Sequence, residues 1–335
     1  MQYLVTTNKD LLPTTPIAMV DGAVPGYEKR EGDLHFDHHR IGGEQIQIDE
    51  MPIIDVTHHR TDITHVVTTQ VDADACVAAA YLQLDLDIDG SPDALRKLRS
   101  IAFDCDHLRV PDELSDLADF AAQAVASLKS EGFKVADQLS LPKDRKTWTE
   151  ANKVAYASEC FKQGTEWLIA AVKGERKYPG ESGEAAEYWQ QVQKDEQQLI
   201  DEERITKYKD ALIFNMYGWS GRYVDPRASL RAAKRLNLSA TITLTQREIQ
   251  DGWSYTIASS DNNLLTGFDA FFKLTIAEAK KRSVDCILVE RFWGESFLSQ
   301  EIGFDPWGGR ETVGGSGWRT PSLLTPEEVI DCLMK

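Results

Sequence analysis

This 335-residue sequence is short of several things, and each shortage excludes something. It has only five cysteines, Cys76, Cys105, Cys160, Cys286 and Cys332, and no two stand in a C-x-x-C spacing. That pattern excludes a zinc knuckle and a thioredoxin-like pair. A chain this long needs no disulfide scaffold, so the thiols read as reduced and mostly buried in a cytoplasmic protein. No apolar run approaches the roughly 18 residues of a membrane span. Lys9 and Asp10 stand where a signal peptide would be apolar. Positive charge is scarce: 37 Lys and Arg face 54 Asp and Glu, a net charge of −17. Long nucleic acid and anionic membranes both need a basic face, so neither is an expected partner. Small phosphorylated compounds are not excluded, because bound metal ions can invert the local sign. Histidine is absent after position 107.

At roughly 150 residues per domain the length suggests two domains, and the pattern along the chain divides it into three parts. In residues 1–141, Pro16–Val20 (PIAMV), His65–Val71 and Leu98–Phe103 read as buried strands ending at Asp21, Asp72 and Asp104. Ala75–Leu84 and Asp112–Lys129 read as helices. Strand, acidic residue and helix in repetition predict a parallel α/β sheet, whose ligands bind at the carboxyl ends of the strands. Residues 142–210 read as a helical connector broken near Tyr178–Gly183, with Lys194–Arg204 as a solvated helix face. In residues 211–335, Ala240–Leu244 and Trp253–Ala258 read as pairing strands, Asp269–Lys281 as a helix and Val284–Val289 as a strand. A Gly-rich stretch, Gly308–Gly317, follows, and Thr325-Pro326-Glu327-Glu328 opens a final helix. The expected fold class is α/β: a parallel-sheet domain, a helical middle segment and a smaller α/β C-terminal domain.

All seven histidines, His35, His38, His39, His58, His59, His65 and His107, fall in the first 107 residues. Histidine is the commonest protein ligand for metals. In Leu34–Arg40 (LHFDHHR), one imidazole can ligate a metal, Asp37 can orient it, and the neighbouring histidine can supply a proton to a substrate. In Val71–Ala75 (VDADA), Asp72 and Asp74 lie two apart and can share one face of a strand or of the turn after it. Each can then hold one ion of a pair, which Asp21 can bridge and Asp104 can close. Oxygen and imidazole donors without sulfur favour Mn²⁺ or Mg²⁺ over structural zinc.

Other features have two readings. His58-His59-Arg60 mimics the triplet but follows Thr57, and reads as loop or rim. Asp106 and His107 lie near Asp104. Arg222, Arg227, Arg231, Lys234 and Arg235 can hold an anionic substrate tail or form an ordinary solvated helix face. Phe292, Trp293, Trp307 and Trp318 flank the Gly-rich stretch and can stack on a base or simply pack.

Taken together, these motifs resemble the DHH phosphoesterase superfamily, named for the triplet found here at Asp37-His38-His39. VDADACVAAA resembles its Asp-x-Asp motif with a small-residue helix behind it. Asp21 in MVDGA and Asp104 in IAFDCD resemble its isolated carboxylates. The overall plan is also similar, an N-terminal catalytic domain followed by a smaller domain with a Gly-rich substrate loop. There are three departures. The Asp-x-Asp motif follows the triplet here instead of preceding it. Thr68 stands where the family has a histidine four residues before the first Asp, with His35 and His65 as candidate replacements. The Gly-rich stretch lacks the family's histidine.

The resemblance implies two divalent ions, Mn²⁺ or Mg²⁺. Asp72 and Asp74 would each ligate one, Asp21 would bridge them, and His38 and Asp104 would complete the coordination of the second ion. Asp37 and His39 are the catalytic candidates, Asp37 orienting and His39 meeting the phosphate or the leaving group. Gly308, Gly309, Arg310, Gly314, Gly315 and Arg319 would bind substrate. The implied activity is hydrolysis of a small phosphorylated substrate, such as a nucleotide, short oligonucleotide or pyrophosphate, by a hydroxide that the two ions activate. The alternative is a catalytically decayed, nucleotide-binding regulatory protein. A homodimer is compatible with either.

Overall fold

A computed structural model describes residues 1–36, 48, 63–84, 92–131, 135–175, 183–218, 225–249, 252–259, 267–295, 297–309, 312–317 and 320–334. It forms two compact units, Met1–Trp189 and Gln190–Lys335.

The first unit is built on four short parallel strands, β1 (Gln2–Val5), β2 (Ile17–Val20), β3 (Leu34–Phe36) and β4 (His65–Thr68). Their order in the sheet is β1-β4-β2-β3. All four residues of β2 are buried, as a parallel strand covered on both faces requires. Side chains alternate between two cores. Ala18, Val20, Phe36 and Val66 join a large cluster with helix α1 (Ala73–Gln83), while Ile17, Met19 and Val67 pack with Val24 and Tyr27. Asp33 holds the segment over this second face. Its carboxylate accepts from Ile17 N at 2.9 Å, the Tyr27 hydroxyl at 2.9 Å and Arg30 Nε at 2.8 Å.

Helices α2 (Pro92–His107), α3 (Ala118–Glu131), α4 (Val135–Gln138) and α5 (Glu150–Val172) complete the unit. The alanines of α1 let its neighbours approach closely: a Cβ on Gly164 of α5 would lie 3.1 Å from Cys76 Sγ. Three expectations need correcting here. Leu98–Phe103 is not a strand; it lies inside α2, where Ala94, Leu98, Ile101 and Cys105 repeat at helical spacing and face the core. β4 stops at Thr68 instead of continuing to Val71. Asp104 therefore reaches the interior from the last turn of a helix, not from a strand end.

The second unit contains a six-stranded sheet, β5 (Ile205–Tyr208), β6 (Ala211–Asn215), β7 (Ile242–Ile249), β8 (Gly252–Ser259), β9 (Gly308–Gly309) and β10 (Val313–Gly315), in the order β5-β6-β7-β8-β10-β9. β6 and β7 are parallel, and the other pairs are antiparallel. Around the sheet come α6 (Gly183–Asp201), of which Gln190–Asp201 lies in this unit, then α7 (Arg227–Arg235), α8 (Gly267–Lys281), α9 (Cys286–Phe292), α10 (Leu298–Ile302) and α11 (Pro326–Leu333). Val284–Val289, expected as a strand, instead starts α9, because Asp285 caps the helix by accepting from Ile287 N at 3.0 Å. The charge run Lys194–Arg204 is not wholly solvated. Asp195 and Glu196 are buried, and Glu196 accepts from Arg231 Nε at 2.8 Å. α11 opens on the expected capping box, Thr325 with Glu328.

Candidate metal centre

Asp21 follows β2 directly, at the carboxyl end of the parallel sheet. It is 4% exposed and sits in the left-handed region at φ 48°. That conformation costs a non-glycine residue free energy and persists only where its surroundings hold it. Its amide donates to Phe36 O on β3 at 2.8 Å. Gly22 follows at φ 134°, and a Cβ there would lie 2.6 Å from Thr69 Oγ1, so only glycine fits between this turn and the end of β4.

Thr68 ends β4 and is fully buried. Its hydroxyl donates to Gln70 O at 2.9 Å and lies 3.4 Å from Asp21 O. The chain then turns into α1. Asp72 is the N-cap, accepting from Ala75 N at 2.9 Å, and Asp74 stands in the first turn with 1% exposure. The two carboxylates thus do not share a strand face. One closes the helix end while the other is buried behind it. The positive end of the α1 dipole favours both charges.

Asp104 is 2% exposed in the last turn of α2, where the helix dipole disfavours a negative charge. A buried carboxylate there is stabilised only by positive charge or donated hydrogen bonds. Its neighbour Cys105 links it to the other candidates. Burial pushes the Cys105 thiol far above its ordinary value, and the charges of Asp72, Asp106, Asp74 and Asp21 push it further. Four carboxylates, from α2, from the start of α1 and from the turn after β2, therefore act on one thiol beside Asp104. No spacing in the sequence marks Cys105.

The histidines divide. His65 is the first residue of β4, paired with Gln2 and Ile17, so it lies at the opposite end of the sheet from Asp21 and Thr68. Burial and the chain's amino-terminal charge hold its pKa below the ordinary value. It does not supply the imidazole missing at Thr68. His35 pairs with Met19 in register and meets the Tyr27 ring edge-on at 5.8 Å, so it belongs to the sheet face away from α1. His107 packs against the Phe103 ring, tilted by 31° with centroids 4.1 Å apart. Burial, aided by the Arg109 charge, pushes its pKa down to about 4, so it is neutral at pH 7.

Asp37, His38, His39, His58, His59, Arg222, Arg310, Trp318 and Arg319 lie outside the described residues. Among the described residues, no group of three or more His, Cys, Asp and Glu side chains converges closely enough to hold a metal ion. The donor types that are described are those a hard divalent cation takes: Asp21 and Asp74 are buried carboxylates following β2 and β4, and Asp104 is a buried carboxylate in the last turn of α2.

In the second unit the Gly-rich stretch forms the β9–β10 hairpin at the sheet edge, with Gly314 opposite Gly309 and Gly315 opposite Gly308. Packing demands most of these glycines. A Cβ on Gly314 would lie 2.1 Å from the Phe271 ring, and one on Gly315 would lie 2.2 Å from Tyr255 O. Gly308 is exposed and faces open space. The flanking aromatics are packed too. Trp307 is buried and stacks on Tyr255 at 5.7 Å, and Trp293 meets Phe272 edge-on at 5.3 Å. In the basic series, Arg227 is buried beside Asp225, Arg231 and Arg235 pair with Glu196, and Lys234 is exposed. No protein-family model matches this chain, and no curated protein matches it either.

Proposed function

We propose that this protein is a metal-dependent phosphoesterase that hydrolyses a small phosphorylated substrate, with the reaction centred on the carboxyl end of the four-stranded parallel sheet. One observation carries the reading. Asp21, Asp74 and Asp104 are all buried, and the charges of Asp21, Asp72 and Asp74 bear on the thiol next to Asp104. Gathering that much negative charge away from water is unfavourable unless cations or donors offset it. Asp21, Asp72, Asp74 and Asp104 would hold divalent ions, Mn²⁺ or Mg²⁺, together with His38. Such ions supply Lewis acidity and lower the pKa of bound water when present. The chain's own residues do the rest. The N-terminus of α1 steadies the Asp72 and Asp74 charges, Asp37 orients an imidazole, and His39 meets the phosphate or protonates the leaving group. By the family resemblance, Gly308, Gly309, Arg310, Gly314, Gly315 and Arg319 would contact the substrate.

The test is release of phosphate or nucleotide from a panel of pyrophosphate, nucleoside bisphosphates, cyclic dinucleotides and short oligonucleotides with added Mn²⁺, wild type beside Asp74→Asn. Mn²⁺-dependent release that disappears in Asp74→Asn supports the assignment. Equal turnover by the two proteins removes it.

A second reading, a nucleotide-binding regulator on a decayed catalytic domain, draws on Thr68, whose hydroxyl is committed to backbone oxygens at the position where a ligand imidazole would stand. It predicts nucleotide binding with no turnover of any substrate in the panel.

A further inference from the structure

The outer strands of a sheet carry backbone groups that no inner neighbour satisfies, and the two sheets treat them unequally. In the first unit α5 answers the outer edge of β1, where Val5 N donates to Ser158 Oγ at 2.9 Å. In the second unit the edge strand β9 is two residues long, too short to template a ladder. β5 is the edge at the other side of that sheet. Its neighbouring residues Thr206 and Lys207 point to opposite faces and are both exposed, so solvent reaches both sides of the strand. The ladder shows which groups face outward. Asn215 N donates to Arg204 O at 3.0 Å, which makes these two a hydrogen-bonded pair. Antiparallel pairs alternate, so Thr206 and Tyr208 also bond to β6, while the N–H and C=O of Ile205 and Lys207 point away from it. Among the described residues no strand lies beyond them.

A lysine on an open edge ordinarily deters pairing. Here the same edge carries the acid that would neutralise it. Glu203 is exposed in the left-handed turn, at φ 50°, that leads into β5. Neither Glu203 nor Lys207 has an ion-pair partner among the described residues. When two copies of β5 meet antiparallel about a twofold axis at Ile205, Ile205 faces Ile205 of the second copy and the two can exchange N–H···O=C bonds. The same register sets Lys207 against Glu203 of the second copy, and symmetry forms the reverse pair as well. We infer that β5 is a homodimerisation edge, joined to β5 of a second copy of this chain by strand pairing at Ile205 and by reciprocal Lys207–Glu203 ion pairs. A strand this short buries less than the roughly 1,000 Å² of a lasting interface, so the association is weak and depends on concentration. The inference is independent of the phosphoesterase reading.

The experiment is sedimentation equilibrium of the full chain up to about 500 µM, where weak interfaces associate, with thermal unfolding recorded on each protein. The wild type is expected to dimerise as its concentration rises. Ile205→Pro removes an outward N–H and leaves the bonds to β6 intact, and is expected to stay folded and dimerise at least about 10-fold more weakly. Lys207→Glu sets like charges against each other and is expected to weaken the dimer by at least about 10-fold. Glu203→Lys combined with Lys207→Glu restores opposite charges and is expected to return within about 3-fold of wild type. If Ile205→Pro does not fold, the charge series decides alone, because both of its positions are exposed. A wild type that stays monomeric throughout overturns the inference. A dimer indifferent to Lys207→Glu overturns it too, and so does a double variant no better than Lys207→Glu, because the contact would then lie elsewhere.

Discussion

Asp72 caps the helix in which Asp74 is buried: its Oδ1 accepts the Ala75 amide at 2.9 Å, and Asp74 follows within the first turn. The two carboxylates of one short motif therefore face different constraints. Replacing Asp72 by alanine is expected to cost about 1 kcal/mol of stability, and asparagine, an equally good cap, to restore most of it. Urea unfolding without added metal measures both. Under the phosphoesterase reading, Asp72→Asn still loses Mn²⁺-dependent turnover, since an amide caps as well but carries no charge. A stable and fully active Asp72→Asn would leave Asp72 as a helix cap alone.

His107 predicts a pH dependence whose sign can be stated. Burial, with the nearby Arg109 charge, lowers its folded-state pKa from the ordinary 6.5 to about 4. Between those values the unfolded chain takes up a proton that the folded chain refuses. The stabilising contribution is therefore complete above pH 6.5 and is lost as the pH falls toward 4. His107→Gln should flatten that part of the stability curve. Urea midpoints for both proteins across the window check this, and parallel curves would show that His107 titrates normally.

The glycines of the β9–β10 hairpin make a prediction about packing. Gly314→Ala drives a methyl into the Phe271 ring and should cost about 1–3 kcal/mol. Phe271→Val relieves only part of the clash, because the methyl also meets Gly308 O at 2.7 Å, so the double variant should lose only somewhat less than the two single losses added together. Gly315→Ala meets the Tyr255 carbonyl instead, which is backbone, so no partner substitution should relieve it. Additive losses at Gly314 and Phe271 would mean that the hairpin shifts away from α8.

Much of the first unit can be read from its sequence because buried parallel strands are unbroken apolar runs. PIAMV is one, and all of Ile17–Val20 is buried. The same signal misleads at Ile101-Ala102-Phe103. There a short apolar run sits inside a longer helical repeat, and the repeat decides the structure because it buries Leu98, Ile101 and Cys105 on one core. The run before Val289 misleads for a local reason: Asp285 satisfies a free amide at a helix start, and that preference outweighs the strand-forming character of Ile287 and Val289. Glu196 was legible only as a charge. The arginine that keeps it buried is 35 residues away, and local composition cannot announce such a partner. The site divides along the same line. Asp21, Asp72 and Asp74 stand out through motif and position, whereas the nearness of Cys105 to them depends on how α2 packs in the fold.

The strand order has a consequence for how the chain assembles. Gln2 pairs with His65, 63 residues later, and β4 lies between β1 and β2. As the chain emerges during synthesis, β2 and β3 can pair early, while β1 must wait with its ladder open until β4 slots in beside it and zips two seams together. The slow event in forming the first unit is then one late insertion, whose rate depends on closing the long span from Phe36 to His65. Lengthening or shortening that span should change how fast the protein matures far more than how stable it is once made.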